Sequence, residues 1–303
     1  MKILITGANG FIGNYIFNDF KKNKSFLIYG TDKENSRSDN IKKIDLLDEK
    51  SFRSYFKQIK PDIIIHTAAR TDSEGKNLTD YEINFVFIPI LKSIIDELDM
   101  NPYIIFFSSM LATSKIKNSI YFYSKSKSIM EEMIYSLNFK NYLIVRPTSI
   151  YGPGFGPPYK NYFSLLINKT FVAHPRNCAT KSFGYVGNVS FQIGEFIKLK
   201  HKSKFPLYVG DYTPINIYDL SVLIKKYRKR KGIFLYFPLI FFYLFAVLGD
   251  LFKVIKIPFF MNTYRYKNFS VDRIINMDKT QEIIPKLPFE IEKSIFLTQK
   301  TIQ

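Results

Sequence analysis

The residues with the most chemistry to offer lie in Tyr121-Phe122-Tyr123-Ser124-Lys125-Ser126-Lys127. The segment continues into Ile129-Met130-Glu131-Glu132-Met133, whose apolar spacing predicts a helix over 124–137. A tyrosine and a lysine four positions apart share a helix face, so the ammonium sits near the phenol and favours its ionised form. A phenol lowered from its ordinary pKa of about 10 can take a hydroxyl proton while hydride leaves carbon. Two overlapping pairs have this spacing, Tyr121 with Lys125 and Tyr123 with Lys127. Another hydroxyl source precedes them in Phe106-Phe107-Ser108-Ser109, an apolar run that ends in two serines. At the carboxyl end of a buried strand, such hydroxyls face the crevice where open α/β sheets bind ligands. Removing hydride requires a carrier to receive it.

The first thirteen residues offer a seat for one. Ile3-Leu4-Ile5 reads as a buried strand, followed by Gly7, Gly10 and Gly13 and then the apolar Tyr15-Ile16-Phe17. A strand that enters a glycine turn and then a helix presents backbone N–H groups and a helix N-terminus to a pyrophosphate. Gly7 permits the sharp turn, Gly10 lets the backbone approach phosphate, and Gly13 lets helix pack on strand. Gly7, Asn9, Gly10, Phe11, Ile12 and Gly13 are thus candidate dinucleotide contacts. The second apolar run, 26–31, leads to Asp32, about 20 residues past the loop, where a carboxylate meets the adenosine ribose hydroxyls. It would repel a 2′-phosphate, so NAD is favoured over NADP, with Lys33 tempering the preference. Asp45, in Ile44-Asp45-Leu46-Leu47-Asp48, is expected to end a third short strand and, with Leu46, to lie beside the adenine.

These groups need a scaffold, and the apolar pattern describes one. Strand-like runs at 3–6, 26–31, 63–66, 103–108 and 142–146 alternate with helix-like stretches near 11–22, 50–58, 84–98 and 124–137. That alternation predicts an α/β fold with a doubly wound parallel sheet over residues 1–150. Past Pro147 the regularity drops, and Gly152-Pro153-Gly154-Phe155-Gly156-Pro157-Pro158 reads as a loop leaving the sheet. Residues 151–303 are expected to form a smaller C-terminal substrate lobe, with a segment near 183–211 returning to the first domain.

Composition narrows the partners. A chain of 303 residues with 46% hydrophobic content can fill one large core and a second lobe. A single cysteine, Cys178, excludes a disulfide framework and suits a reducing, cytoplasmic setting. The chain opens directly on its first strand, so no targeting segment is expected. The net charge of +18 comes from scattered lysines without a nucleic-acid module, so nucleic acid is not an expected partner. An acidic small molecule such as a nucleotide-diphosphate sugar would gain from the same field. No metal site is expected.

Together these segments resemble the extended short-chain dehydrogenases, the NAD-dependent epimerase/dehydratase family. The resemblance rests on the glycine loop, Asp32, Pro61-Asp62-Ile63-Ile64-Ile65-His66-Thr67-Ala68-Ala69, Asn84, Ser108-Ser109, residues 123–127 and Arg146-Pro147-Thr148-Ser149-Ile150-Tyr151-Gly152-Pro153-Gly154. They keep the family's order and spacing from residue 1 to about 155. Fainter likeness continues through Phe183-Gly184-Tyr185-Val186-Gly187-Asn188-Val189 and Leu207-Tyr208-Val209-Gly210-Asp211. The resemblance implies a Rossmann domain and the pair Tyr123/Lys127, with Tyr121 a decoy. It makes Tyr123 the acid/base and gives Lys127 the nicotinamide ribose. Ser109, ahead of Ser108, would hold the reacting oxygen. Ala68 and Ala69 would line the cofactor and Pro147 would abut the nicotinamide. His66 is expected to be structural.

Departures from the family pattern narrow the reaction. Its dehydratases carry Asp-Glu directly after the catalytic serine or threonine; here Met110 and Leu111 stand there, and neither moves protons. Relatives of GDP-fucose synthase need a cysteine near position 111, and Cys178 is far away in sequence. What remains is C4 epimerisation or simple alcohol/ketone oxidoreduction of a nucleotide sugar. Other readings are oxidoreduction of a lipid-like or sterol-like alcohol, or a non-catalytic NAD-binding regulator. In the lobe, His174, Arg176 and Lys181 are candidate substrate contacts, the two cations suiting a diphosphate. Helices 84–98 and 124–137 are candidates for a homodimer interface, as in the family. Finally, residues 232–249 are uncharged and follow Lys225-Lys226-Tyr227-Arg228-Lys229-Arg230-Lys231. The length borders on that of a membrane span, but Pro238 interrupts the run, which admits lobe packing, peripheral contact with the inner face of a membrane or a span.

Overall fold

The computed structural model describes residues 1–36, 38–72, 74–112, 121–157, 159–228, 231–254 and 262–302. The chain divides into two compact units. One comprises Met1–Thr148, Val186–Val209 and Met277–Lys286; the other comprises Ser149–Tyr185, Gly210–Asn276 and Leu287–Gln303.

The first unit is an α/β domain built on seven parallel strands. Six follow in chain order: β1 (Lys2–Thr6), β2 (Leu27–Asp32), β3 (Ile41–Lys43), β4 (Ile63–His66), β5 (Tyr103–Phe107) and β6 (Tyr142–Pro147). The seventh is Leu207–Val209, and the spatial order is Leu207–Val209, β6, β5, β4, β1, β2, β3. Every pairing in this sheet is parallel, with Ile5 of β1 opposite both Gly30 of β2 and Ile65 of β4. Strands covered on both faces need continuous apolar runs, which Ile3-Leu4-Ile5 and Ile63-Ile64-Ile65 supply. The chain moves outward from β1 through β2 and β3, then returns to the other side of β1 as β4. That reversal opens a crevice beyond the carboxyl ends of β1 and β4.

On one face Leu4, Ile64, Phe106 and Ile144 meet three helices. These are α2 (Glu49–Ile59), α3 (Phe87–Glu97) and α4 (Tyr121–Ser136), which contribute Phe52, Phe56, Phe87, Leu91, Met130 and Ile134. Phe52, Tyr55, Phe56 and Ile59 recur at helical spacing and are all buried. Asp48 caps α2, accepting from the Ser51 N–H at 3.2 Å and its hydroxyl at 2.6 Å. On the other face, α1 (Phe11–Phe20) is tied to the Val186–Leu199 helix where the Ser190 hydroxyl donates to Asp19 at 2.8 Å.

Local expectations shift in three places. The third strand ends at Lys43, so Asp45 sits in the turn before α2, exposed, accepting from the Leu47 N–H at 2.9 Å. Leu46 is buried in the core rather than open to a ligand. The expected helix 84–98 is a 3-10 turn, Thr79–Asn84, followed by α3 from Phe87. The segment near 183–211 is divided between the units, its helix and last strand in the first and Phe183–Tyr185 in the second.

Among its described residues the second unit contains three two-stranded ribbons. Phe183–Tyr185 pairs with Ser149–Tyr151 and Ile233–Phe237 with Phe171–Pro175, both parallel; Ile215–Asn216 pairs with Thr180–Lys181, antiparallel. Its helices include Ile217–Lys225, Leu239–Val254, Thr263–Ser270 and Ile291–Gln299. Stacked rings fill its interior, with Tyr151 5.8 Å from Phe163 and 5.9 Å from Tyr185.

Candidate active site

The glycine loop closes tightly on the end of β4. Gly7 has φ +72°, and a Cβ there would lie 2.6 Å from the Ala68 Cα. A Cβ on Gly13 would lie 2.2 Å from the Gly7 carbonyl oxygen and 2.5 Å from the Thr67 hydroxyl. Glycine is therefore required at both positions, the first for conformation and the second for space. The loop is pinned by Gly7 and Ala8 N–H donating to the Thr31 carbonyl at 2.8 and 3.1 Å. Helix α1 then starts at Phe11, and no side chain among the described residues caps it. Its first turn thus offers backbone donors toward the crevice, the arrangement that suits a diphosphate.

Asp32 ends β2 beside this loop. Its Oδ2 accepts from the Asn9 N–H at 3.0 Å and its Oδ1 from the Glu34 N–H at 3.1 Å. Each oxygen keeps a second lone-pair direction for a ribose hydroxyl. Asn9 also donates through its side chain to the Glu34 carbonyl at 3.2 Å. Ala68 and Ala69, half-buried, follow β4, and Pro147, half-buried, ends β6. The residues expected around NAD other than Asp45 and Leu46 therefore gather at one sheet edge.

The same edge holds the proton-handling groups. The Ser109 and Tyr123 hydroxyls are hydrogen-bonded to each other. Ser109 is 6% exposed and also accepts from the Leu111 N–H at 3.2 Å. Helix α4 is clipped to the turn after β5 by Ser124, donating to the Leu111 carbonyl at 2.6 Å, and by Ser128, donating to the Ala112 carbonyl. These contacts fix Tyr123 against Ser109. Lys127 is 2% exposed and donates to the Phe107 carbonyl at 2.8 Å. Burial pulls its ammonium down to about 8, with the Glu131 carboxylate opposing. Tyr123 differs from expectation, because burial pushes its phenol up and only the Ser109 hydrogen bond pulls it back. Tyr121 is exposed, its ring 5.3 Å from that of Phe122.

Ser108 is spoken for elsewhere. Its hydroxyl donates to Glu131, which also holds Arg146 through contacts of 2.9 and 2.5 Å. His66 stacks on Phe87 at 5.0 Å, and its Nδ1 lies 2.7 Å from the Thr6 hydroxyl. Burial, with the Lys127 charge adding, pushes it down to about 3, so the ring is neutral.

Two positioning features escaped the sequence. The Ser108–Glu131–Arg146 chain joins β5, α4 and β6, and it pairs residues too far apart in sequence to recognise. Asn84 accepts from the Arg70 N–H at 2.8 Å, donates to the Arg70 carbonyl at 3.0 Å and donates to the Ser126 hydroxyl at 2.9 Å. It ties the loop after β4 to α4. Its one signal was its place in the resemblance.

In the second unit the expected substrate contacts separate. His174 is buried among Tyr162, Tyr218, Tyr236 and Phe269, with Nε2 2.9 Å from the Tyr162 hydroxyl and Nδ1 2.8 Å from the Pro175 carbonyl. Both ring nitrogens are engaged, which corrects its expected role as a ligand contact. The Arg176 side chain is exposed. Lys181 is buried, and burial with the neighbouring Arg273 charge pulls its amine down to about 8.

The chain is similar to known proteins. The model of the NAD dependent epimerase/dehydratase family matches residues 3–176. GDP-6-deoxy-D-talose 4-dehydrogenase from Aggregatibacter actinomycetemcomitans is 29% identical over 202 residues, 62% of this chain and 64% of that protein. The chain thus spans under two thirds of that relative. UDP-glucose 4-epimerase from Thermotoga maritima superposes with TM-score 0.74 at 16% identity, covering 99% of this chain and 98% of that one. UDP-glucuronic acid 4-epimerase from Bacillus cereus, solved with NAD, superposes with TM-score 0.73 at 16% identity, covering 100% and 96%.

Proposed function

Because the chain belongs to the NAD-dependent epimerase/dehydratase family, we propose that it is an NAD-dependent epimerase or oxidoreductase acting on a nucleotide-diphosphate sugar. The observation that carries this is the Ser109–Tyr123 hydrogen bond with Lys127 buried on the same helix, at the sheet edge that holds the glycine loop. When bound, NAD supplies the hydride acceptor and donor for a carbinol carbon. The chain supplies the rest. The Tyr123 oxygen, as phenolate, takes the proton of the reacting hydroxyl and later returns it. Ser109 donates to the reacting oxygen and holds it near Tyr123. Lys127, fixed by the Phe107 carbonyl, keeps a positive charge one helical turn from the phenol. The glycine loop and the α1 N-terminus hold the diphosphate, and Asp32 holds the adenosine ribose and selects NAD over NADP. Met110 and Leu111, which move no protons, speak against water elimination. A nucleotide sugar as substrate is supported by what the relatives act on.

The test is a panel of nucleotide sugars incubated with NAD⁺, read by absorbance at the reduced-nicotinamide band and by NMR of the products. Accumulation of reduced cofactor identifies a dehydrogenase, and an inverted carbon without it identifies an epimerase. No change in any sugar, with NAD⁺ or with NADH, refutes the proposal.

A further inference from the structure

The second unit carries an apolar surface that nothing among its described residues covers. In Ile233–Phe237 the side chains alternate. Phe234 and Tyr236 turn inward, with the Lys225 ammonium 4.4 Å above the Phe234 ring and the Tyr236 ring 5.0 Å from that of Tyr218. Ile233, Leu235 and Phe237 turn outward, Ile233 being 63% exposed, and the parallel register sets exposed Phe171 beside it. After Pro238 the helix Leu239–Val254 begins. It is held by a narrow stripe, Phe242 and Ala246 packing with Leu239 on Tyr266, and by Asp250 accepting from the Thr263 N–H at 3.3 Å. Elsewhere on it Ile240, Leu244 and Leu251 are 58%, 56% and 62% exposed. The Phe237 and Phe241 rings, 6.3 Å apart, join the strand's outer face to the helix.

An exposed patch of this extent marks an interaction site. Its chemistry follows from what adjoins it. Residues 225–249 contain six lysines and arginines, all before 232, and no acidic residue. Among them Lys226 and Lys231 are exposed, and Lys226 has only a surface pair with Glu292 at 3.0 Å. Two copies meeting through this face would bring two cationic runs together, whereas an anionic surface would neutralise them. No helix among the described residues is long and apolar enough to cross a membrane.

We propose that the outer faces of Ile233–Phe237 and Leu239–Val254 dock on an anionic phospholipid bilayer, with the adjoining lysines on the headgroups. The full chain is sedimented with vesicles of phosphatidylcholine alone and of phosphatidylcholine with phosphatidylglycerol. The anionic vesicles should bind at least about tenfold more tightly, a preference that high salt erases. Leu244→Glu with Leu248→Glu should weaken binding by about a hundredfold or more while leaving the circular dichroism spectrum unchanged. A chain that stays in the supernatant with both vesicles overturns the proposal, as does equal binding to the two compositions, which needs no variant. A self-associating chain that the double substitution makes monomeric, without vesicle binding, assigns the surface to a second copy instead.

Discussion

Replacing Lys127 with methionine should end turnover and yet stabilise the protein. The side chain is buried, and its ammonium falls from 10.5 to about 8 on folding. At 1.36 kcal/mol per pH unit, holding that charge in the folded chain costs about 3 kcal/mol at neutral pH. Methionine keeps much of the volume and removes the charge, but leaves the Phe107 carbonyl without its 2.8 Å donor, a loss of about 1 kcal/mol. The variant should therefore be about 2 kcal/mol more stable at neutral pH. The sign of the pH dependence follows from which state binds more protons. Between about 8 and 10.5 the unfolded lysine is still charged while the folded one has lost its proton, so wild-type stability rises with pH across that window. The gap between the two proteins is full below about pH 8 and closes toward 10.5. Lys181 undergoes the same kind of shift in both proteins and cancels from the comparison. Urea unfolding of both proteins, without cofactor, at neutral and alkaline pH measures this. A methionine variant less stable at neutral pH, or a gap that pH does not move, would refute the reasoning.

Other substitutions separate roles that sequence alone confuses. Tyr123→Phe should reduce kcat to background while NAD affinity, followed by fluorescence titration, stays within about twofold; Tyr121→Phe should leave kcat unchanged, its side chain being exposed. Ser109→Ala should lower kcat by about a hundredfold with little change in unfolding midpoint. Ser108→Ala should do the reverse, losing about 1–2 kcal/mol of stability because Glu131 loses a buried donor. Gly13→Ala should abolish NAD binding, since its Cβ would collide with the Gly7 carbonyl at 2.2 Å. Asp32→Ala should narrow the preference for NAD over NADP by at least about tenfold in relative Kd, a difference of about 1.4 kcal/mol.

Much of the nucleotide-binding half could be read from local pattern. The run Ile63–His66 is a strand with the expected bounds, and β1, β2, β5 and β6 differ from theirs by a residue at one or both ends. Parallel strands buried on both sides leave a continuous apolar signature, which needs no knowledge of partners. The third strand was misplaced because Ile41–Lys43 has one buried residue and two lysines, whereas the following Ile44 and Leu46 are the more apolar pair. Ser108 and Ser109 are indistinguishable by type. Only the fold shows that one faces Glu131 and the other Tyr123. His174 was a candidate contact because it lies in the lobe expected to meet substrate. The aromatic rings that enclose it come from positions as distant as Phe269, and such pairing leaves no trace in local spacing.

The sheet-bearing unit is assembled from three separate lengths of chain, and this sets an order of events during synthesis. A ribosome that has finished Thr148 has made six of the seven strands but not Leu207–Val209, which covers the edge of β6. Nor has it made Thr280, whose hydroxyl closes on the Tyr208 carbonyl at 2.6 Å. At about 5–20 residues per second, the last of these lengths is finished roughly seven to thirty seconds after the first. Meanwhile the β6 edge is bare and the intervening segment 149–185 waits for its own partners. A nascent chain in that interval presents an unpaired strand to its neighbours, and that interval is where a chaperone would act.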